Sequence, residues 1–301
     1  MNAVVVENLV KVYGGEKTAV DGVSFSVKPG EIFGLIGPDG AGKTSIFRVL
    51  TTLLLPDGGS ATVDGLDVVK DYKRIRERVG YMPGKFSLYP DLSVEENLKF
   101  FATVFNTTVE ANYHLIKDIY VQLEPFKKRR AGKLSGGMKQ KLALCCALIH
   151  KPVVLFLDEP TTGVDPVSRK EFWEILKQLK TEDITIIVST PYMDEANMCD
   201  EIALIQSGKL LSVDTPRNIV RSYPEQLYAV KADNMHQLLK LLRSYDKVMN
   251  SYAFGEFAHV SFKDPAADIN QVIDYLKEQG LANVDLQKTA VTIEDSFIKL
   301  L

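Results

Sequence analysis

The run Gly37-Pro38-Asp39-Gly40-Ala41-Gly42-Lys43-Thr44 constrains this chain more than any other segment of it. It matches the pattern G-x-x-x-x-G-K-[ST] and stands between an apolar stretch, 31–36, and a helically spaced one, 44–54. A glycine-rich turn between a strand and a helix lets successive backbone N–H groups point inward around phosphate oxygens. The helix start at Gly42, Lys43, Thr44 and Ser45 adds partial positive charge. Lys43 is then placed to reach the outer phosphates of a nucleotide. The Thr44 hydroxyl is placed to ligate Mg²⁺, a hard ion that prefers oxygen.

The surrounding pattern predicts an α/β fold. Stretches 153–157 and 184–189 are continuous, largely β-branched apolar runs, each followed by polar residues and a helix-like segment. Such strands belong to a parallel sheet covered on both faces. Stretches 4–6 and 24–27 read as further strands. Val153-Val154-Leu155-Phe156-Leu157-Asp158-Glu159-Pro160 is a buried strand ending in two carboxylates. Acids at the carboxyl end of a parallel strand face the ligand crevice. Asp158 is expected to hold Mg²⁺, mostly through water, and Glu159 to polarise an attacking water. Alone, two solvated acids in a turn would explain these residues as well; beside the phosphate loop, the chemical reading is the stronger.

Leu134-Ser135-Gly136-Gly137-Met138 precedes a helix expected over 139–149. A serine and two glycines at a helix N-terminus suit an anion. The motif is either a second phosphate cradle, serving a nucleotide held by another subunit, or an ordinary N-cap at Ser135.

At about 100–200 residues per domain, the length of 301 residues suggests one large domain or two unequal ones. The character changes near Tyr223 and Pro224, after a helix expected over 216–222. The remainder reads as strand 226–231, helix 234–245, strands 248–254 and 256–262, helix 265–279, an extended stretch within 283–293 and a last helical turn. The boundaries are therefore set at 1–222 and at 223–301, the second a small α+β domain. The net charge of −3 gives no field that attracts nucleic acid. The longest apolar runs, 142–149 and 153–157, fall well short of the roughly 20 residues of a membrane helix. The start of the chain carries Glu7 and does not read as a signal peptide. Three cysteines are too few for a disulfide scaffold, and four scattered histidines argue against a multi-histidine metal site.

In order, the phosphate loop, Leu134 to Met138, Asp158-Glu159 and Thr161-Thr162-Gly163-Val164-Asp165-Pro166 resemble the ATP-binding subunit of ATP-binding-cassette (ABC) transporters over positions 4–220. Gly80-Tyr81-Met82-Pro83 and Tyr192-Met193-Asp194-Glu195-Ala196 resemble the ABC-2 exporter branch, often multidrug exporters. Val291-Thr292-Ile293-Glu294-Asp295-Ser296-Phe297 resembles the small C-terminal domain of that branch. The resemblance implies a P-loop NTPase cassette with a RecA-like parallel core, an antiparallel β subdomain and a helical subdomain. It implies ATP and Mg²⁺ as ligands and a head-to-tail dimer, either homo- or heteromeric. Pro38, Asp39, Gly40, Ala41 and Ser45 join Gly37, Gly42, Lys43 and Thr44 around the phosphates. Ser135, Gly136 and Gly137 would contact the γ-phosphate of the partner's ATP, and Asp165 lies in the dimer-contacting loop. Tyr13 stands at the position that stacks on adenine, unless it is a surface tyrosine in a turn. The implied function is ATP hydrolysis at Glu159, energising export through a separate transmembrane permease, with no nucleic-acid partner. The chain would be peripheral at the cytoplasmic face of the inner membrane, held there by the permease only.

Two positions depart from the family pattern. Gly84 stands where a glutamine normally touches Mg²⁺ and the attacking water. Pro191 stands where a histidine normally contacts the γ-phosphate, and proline has no side-chain donor. Loss of one preorganised donor typically costs on the order of 10²–10³ in rate. The chain's own site is therefore expected to bind ATP and hydrolyse it slowly. An alternative follows: a largely regulatory cassette that completes the site of a different ABC subunit. Asp39, in place of the commoner asparagine, and Met138, in place of the usual glutamine, are smaller changes. Lys127-Lys128-Arg129-Arg130 reads as a solvated loop. Phe86-Ser87-Leu88-Tyr89-Pro90 suits an interface with the membrane subunit, or packing inside the helical subdomain. Cys145, Cys146 and Trp173 read as core.

Overall fold

The computed structural model describes residues 1–264 and 268–301. They form two compact units, Met1–Arg217 with Leu301, and Asn218–Leu300. The division falls within the helix Pro216–Arg221 rather than after it. Ile219 of that helix is buried, and its carbonyl accepts from the Ser296 hydroxyl in the second unit (3.4 Å).

The first unit is built on a six-stranded sheet in the order Lys209–Asp214, Glu201–Gln206, Ile32–Ile36, Thr185–Thr190, Val154–Asp158, Val79–Met82. All neighbours run parallel except the Lys209–Asp214 edge. Every residue of the strands Ile32–Ile36, Val154–Asp158 and Thr185–Thr190 is buried, which is why these runs lack polar alternation. The register sets Ile36 beside Thr190, Asp158 beside Ser189 and Leu157 beside Met82. Four strand ends thus open in one row, with Gly37, Pro191, Glu159 and Pro83 next along the chain.

A second, antiparallel sheet runs Lys17–Val27, Val4–Tyr13, Gly58–Val63, Leu66–Asp67. It shares a core with the first: Phe25 stacks on Phe33 at 5.2 Å, and Phe47 meets Phe156 edge-on at 5.7 Å. Helices Val94–Val104, Tyr113–Leu123 and Gly136–Leu148 form the helical part, burying Leu98, Ile116, Ile119, Leu142 and Cys145. Ser93 and Glu96 start the first of them with a reciprocal capping box. Two helix boundaries differ from expectation. The helix expected over 44–54 stops at Leu50, because Thr52 turns to φ 62° and Arg76 fastens it through Oγ1 and the carbonyl, both at 2.8 Å. The helix expected from 139 starts at Gly136, because Ser135 caps it through the Met138 N–H. Cys145, Cys146 and Trp173 are buried. Lys127, Lys128, Arg129 and Arg130 are all exposed, and the Glu95 carboxyl is held below the usual carboxylate range, first by the Lys99 ammonium and then by Lys127 and Lys128.

The second unit has the order β-α-β-β-α-β before its terminal helix. Its antiparallel sheet runs Val248–Phe254, Phe257–Phe262, Leu227–Lys231, Asp285–Thr289. Helices Met235–Ser244 and Ile269–Glu278 bury Leu238, Leu242, Val272 and Leu276 against Val230 and Val260. Asp268 caps the second helix, and residues 265–267, which the sequence reading included in it, lie outside the described residues.

The terminal helix Ile293–Leu300 is fastened to that sheet by one buried carboxylate. Asp295 is fully buried; its Oδ2 accepts from Thr292 N–H and Oγ1, both at 2.7 Å, and its Oδ1 from Tyr252 O–H (2.9 Å) and His259 Nδ1 (2.6 Å). Burial and this carboxylate push the Tyr252 hydroxyl well above the usual tyrosine range. Asp295→Ala strands all these donors and is expected to cost about 3–5 kcal/mol. Thermal unfolding of the full chain checks this. A loss under about 1 kcal/mol would mean that water or a shifted side chain replaces the carboxylate.

Candidate active site

The row of strand ends positions the phosphate loop. Gly37 lies so close to its neighbour strand that a Cβ there would stand 2.1 Å from the Ile205 carbonyl oxygen. Gly42 has φ 108° and would meet the Ala19 carbonyl at 2.3 Å. Only glycine fits both, so the loop geometry is set by close backbone approach. Lys43 begins the helix Lys43–Leu50 with its side chain 3% exposed. Its Nζ donates to the Gly37 carbonyl (2.7 Å) and the Pro38 carbonyl (3.0 Å), and pairs with Glu159 Oε1 at 3.2 Å. Asp39 and Gly40 are exposed at the loop tip. Tyr13, delivered by the antiparallel sheet, places its hydroxyl 3.2 Å from Ser45 Oγ. Tyr13, Lys17, Gly40, Lys43, Thr44 and Glu159 are among the residues lining a cavity of about 380 Å³.

The paired acids face this loop. Asp158 is 2% exposed, and its Oδ1 accepts from Thr44 Oγ1 (3.1 Å) and Ser189 Oγ (2.6 Å). Glu159 turns into the left-handed region at φ 50°, held by its N–H on Ser189 O and Oγ, both at 3.0 Å. A residue bearing Cβ in that conformation is strained, and such strain persists only where neighbours over-determine it. Burial and the Asp158 charge push the Tyr81 hydroxyl up to about 12. Gly84 passes close by: a Cβ there would lie 3.0 Å from the Asp158 carbonyl oxygen and 3.7 Å from Glu159 Cβ. The donor set fits Mg²⁺, which binds through one or two carboxylates with water and substrate phosphate completing its shell. A hydroxyl and a carboxylate at 3.1 Å supply hard oxygens for it. No group of three or more His, Cys, Asp or Glu that could hold a metal exists among the described residues, so the protein part of such a site is small.

Ser135, Gly136, Gly137 and Asp165 sit together, away from this cavity. A Cβ at Gly136 would be 3.4 Å from the Gly163 carbonyl oxygen, and one at Gly137 would be 3.1 Å from Ser168 Oγ. Asp165 caps the helix Pro166–Lys180 by accepting from the Ser168 N–H at 3.0 Å, which holds its carboxyl below the usual carboxylate range. Ser135 and Asp165 thus both serve as N-caps in this chain. Sequence reasoning missed Ser189 as the anchor of both acids. Its only signal was its place at the end of a buried strand, next to Thr190 and Pro191.

A family model described as "ABC transporter" matches residues 20–162. The Nod factor export ATP-binding protein I of Burkholderia lata is 40% identical over 211 residues, which cover 69% of each chain. The chain belongs to the ATP-binding proteins of ABC transporters. This cassette is also 38% identical over 292 residues to the probable multidrug ABC transporter ATP-binding protein YbhF of Escherichia coli K12. That match takes in 96% of the cassette chain and 50% of YbhF, so the chain spans half of that relative's length. The linearmycin resistance ATP-binding protein LnrL of Bacillus subtilis is 38% identical over 216 residues. Among solved structures, cbiO1 from Clostridium perfringens, part of the ABC transporter complex cbiONQ, covers 73% of this chain and 91% of its own, with 26% identity and a TM-score of 0.65. The ATP-binding cassette MJ0796, solved as a dimer bound to ADP and Pi, superposes over 70% of this chain and 98% of its own with a TM-score of 0.64; at 24% identity it speaks for the fold alone. The cassette fold is thus that of the P-loop ATPases, with a parallel core. No helix among the described residues of the cassette is long and apolar enough to cross a membrane.

Proposed function

We propose that this cassette binds and hydrolyses ATP and so drives export through a separate membrane-spanning permease. One observation carries the reading: Lys43 and Thr44 from one helix start and Asp158 and Glu159 from one strand end converge within hydrogen-bond or ion-pair distance. The backbone amides of the phosphate loop and Lys43 bind and orient the phosphates. Mg²⁺ held by Thr44 and Asp158 would neutralise charge on the phosphates. Glu159 orients the attacking water and takes its proton at the carboxylate. Tyr13 stacks on the base, which is worth about 0.5–1.5 kcal/mol beyond burial. Ser135, Gly136 and Gly137 face the nucleotide of a second cassette, and the permease alone holds the chain peripherally at the cytoplasmic face of the inner membrane. The relatives named for multidrug transport, Nod factor export and linearmycin resistance support the export direction.

Titration of the purified protein with ATP and Mg²⁺ tests this. Lys43→Ala is expected to weaken binding by about 10–10²-fold, the loss of a charged hydrogen bond. Equal affinity in the variant, or no ATP binding by the wild type, would overturn the reading.

A second reading is favoured by Gly84 and Pro191. Neither extends a polar side chain over Glu159, so the chain's own site hydrolyses slowly and its Ser135-Gly136-Gly137 motif completes the site of a different subunit. Robust turnover by the isolated chain, lost in Glu159→Gln, would exclude this second reading.

A further inference from the structure

A second buried carboxylate lies behind the site, on a segment that the chemistry above does not use. Glu195 belongs to the short 3₁₀ helix Met193–Met198 and is 3% exposed. Its Oε1 accepts from Thr161 Oγ1 at 2.8 Å and from Arg169 Nε at 3.1 Å. Its Oε2 accepts from Thr190 Oγ1 at 2.6 Å. Thr190 Oγ1 accepts in turn from the Tyr192 N–H at 3.1 Å, and the Arg169 guanidinium lies 4.1 Å from the centre of the Tyr192 ring. Thr161 and Thr190 are both fully buried.

These contacts connect the two chain segments that leave the sheet beside the proposed base. Thr161 follows Glu159 and Pro160; Thr190 precedes Pro191. The strands carrying them are neighbours, with Asp158 in register with Ser189. Ser189 joins the two segments on the inner side, through Asp158 Oδ1 and the Glu159 N–H. Glu195 joins them again one step further out, through Thr161 and Thr190. The left-handed turn at Glu159 is therefore clamped on both sides. A conformation that costs of order 1–3 kcal/mol needs such support. The clamp is charge-assisted and dry, the setting in which hydrogen bonds hold geometry most firmly. At the neighbouring position, Pro191 offers no side-chain donor that could do the same.

We infer that Glu195, braced by Arg169, is a positioning residue for Glu159: it holds Thr161 and Thr190 so that the turn presents the base to the attacking water. This assignment rests on the proposed ATP hydrolysis. It acts on the water step and leaves the phosphate loop untouched.

The test compares ATP affinity and kcat in the full chain for Glu195→Ala, Glu195→Gln, Thr161→Val and Thr190→Val, with Glu159→Gln in parallel. Misplacement of a reacting group by an ångström costs on the order of 10² in rate. Glu195→Ala is expected to lower kcat on that scale, with ATP affinity changed less than about threefold and thermal stability of the ATP-bound protein separating folding from turnover. Glu195→Gln, which keeps the shape and can still accept from Thr161 and Arg169 through its oxygen while its NH2 donates to Thr190 Oγ1, is expected to recover most of the rate. The two valine variants remove one hydroxyl each at nearly constant volume and guard against a misfolded alanine variant; each is expected to lower kcat, and neither to add to the effect of Glu195→Ala. Valine and alanine variants that bind and turn over ATP like the wild type would overturn the assignment while leaving the proposed function standing. Wild-type protein with no ATP binding, or with turnover indifferent to Glu159→Gln, would overturn the proposed function and this assignment together.

Discussion

Glu159→Gln is expected to lower ATP hydrolysis by about 10²–10⁴-fold, the range for loss of a general base. Glutamine keeps the shape of the side chain and its contacts along the turn, but it cannot accept a proton from water. Binding follows a different rule. Glu159 Oε1 lies 3.2 Å from Lys43 Nζ, so the wild-type lysine shares its charge between the base and the loop carbonyls. Neutralising the base releases that lysine for phosphate, and ATP affinity is expected to stay equal or rise. Single-turnover phosphate release with nucleotide titration separates the two effects. A rate within about threefold of wild type would assign the proton to another group.

The second large effect runs in the opposite direction. Pro191→His with Gly84→Gln is expected to raise turnover on the order of 10²-fold, since one donor aimed at developing charge is worth about 10²–10³ in rate. The two changes are unequal. Histidine at 191 restores a backbone N–H and adds an imidazole donor beside Thr190. Glutamine at 84 brings a Cβ to within 3.0 Å of the Asp158 carbonyl oxygen, so the loop must yield by a few tenths of an ångström. The single histidine variant is therefore expected to show most of the gain. Steady-state hydrolysis by the four combinations checks this. If the double variant is no faster than wild type, these positions do not limit the rate, and the case for an asymmetric dimer loses its physical basis.

The phosphate loop was legible because its function is carried by contiguous backbone. Glycine spacing, one lysine and one hydroxyl define it, and local φ preference decides the rest. The acids Asp158 and Glu159 were legible for a related reason. A wholly apolar run must be a buried parallel strand, and its end must open toward the crevice. Helix boundaries were less so. The helix is expected from 139, yet the Ser135 cap, one of the two readings the sequence offers for that motif, starts it already at Gly136. The threonines after Leu50 look helical in spacing, yet Arg76, far along the chain, holds Thr52 out of the helix. Asp165 reads as a contact residue from its place in the loop, while its carboxylate also has the local task of capping a helix.

By itself, the sequence determined the central buried strands, the loop that cradles phosphate and the two acids, because each depends on residues adjacent in the chain; the strands Gly58–Val63, Val79–Met82, Glu201–Gln206 and Lys209–Asp214 emerged only in the structure. The tertiary structure alone decided how these parts hold one another. Lys43 meets Glu159, Ser189 anchors Asp158, Glu195 ties Thr161 to Thr190, and Asp295 gathers Tyr252 and His259. Most of these pairs lie tens of residues apart, and their register is set by which strands lie side by side. Hydrogen bonds between buried side chains depend on distances of a few tenths of an ångström, and only the packed sheet fixes those.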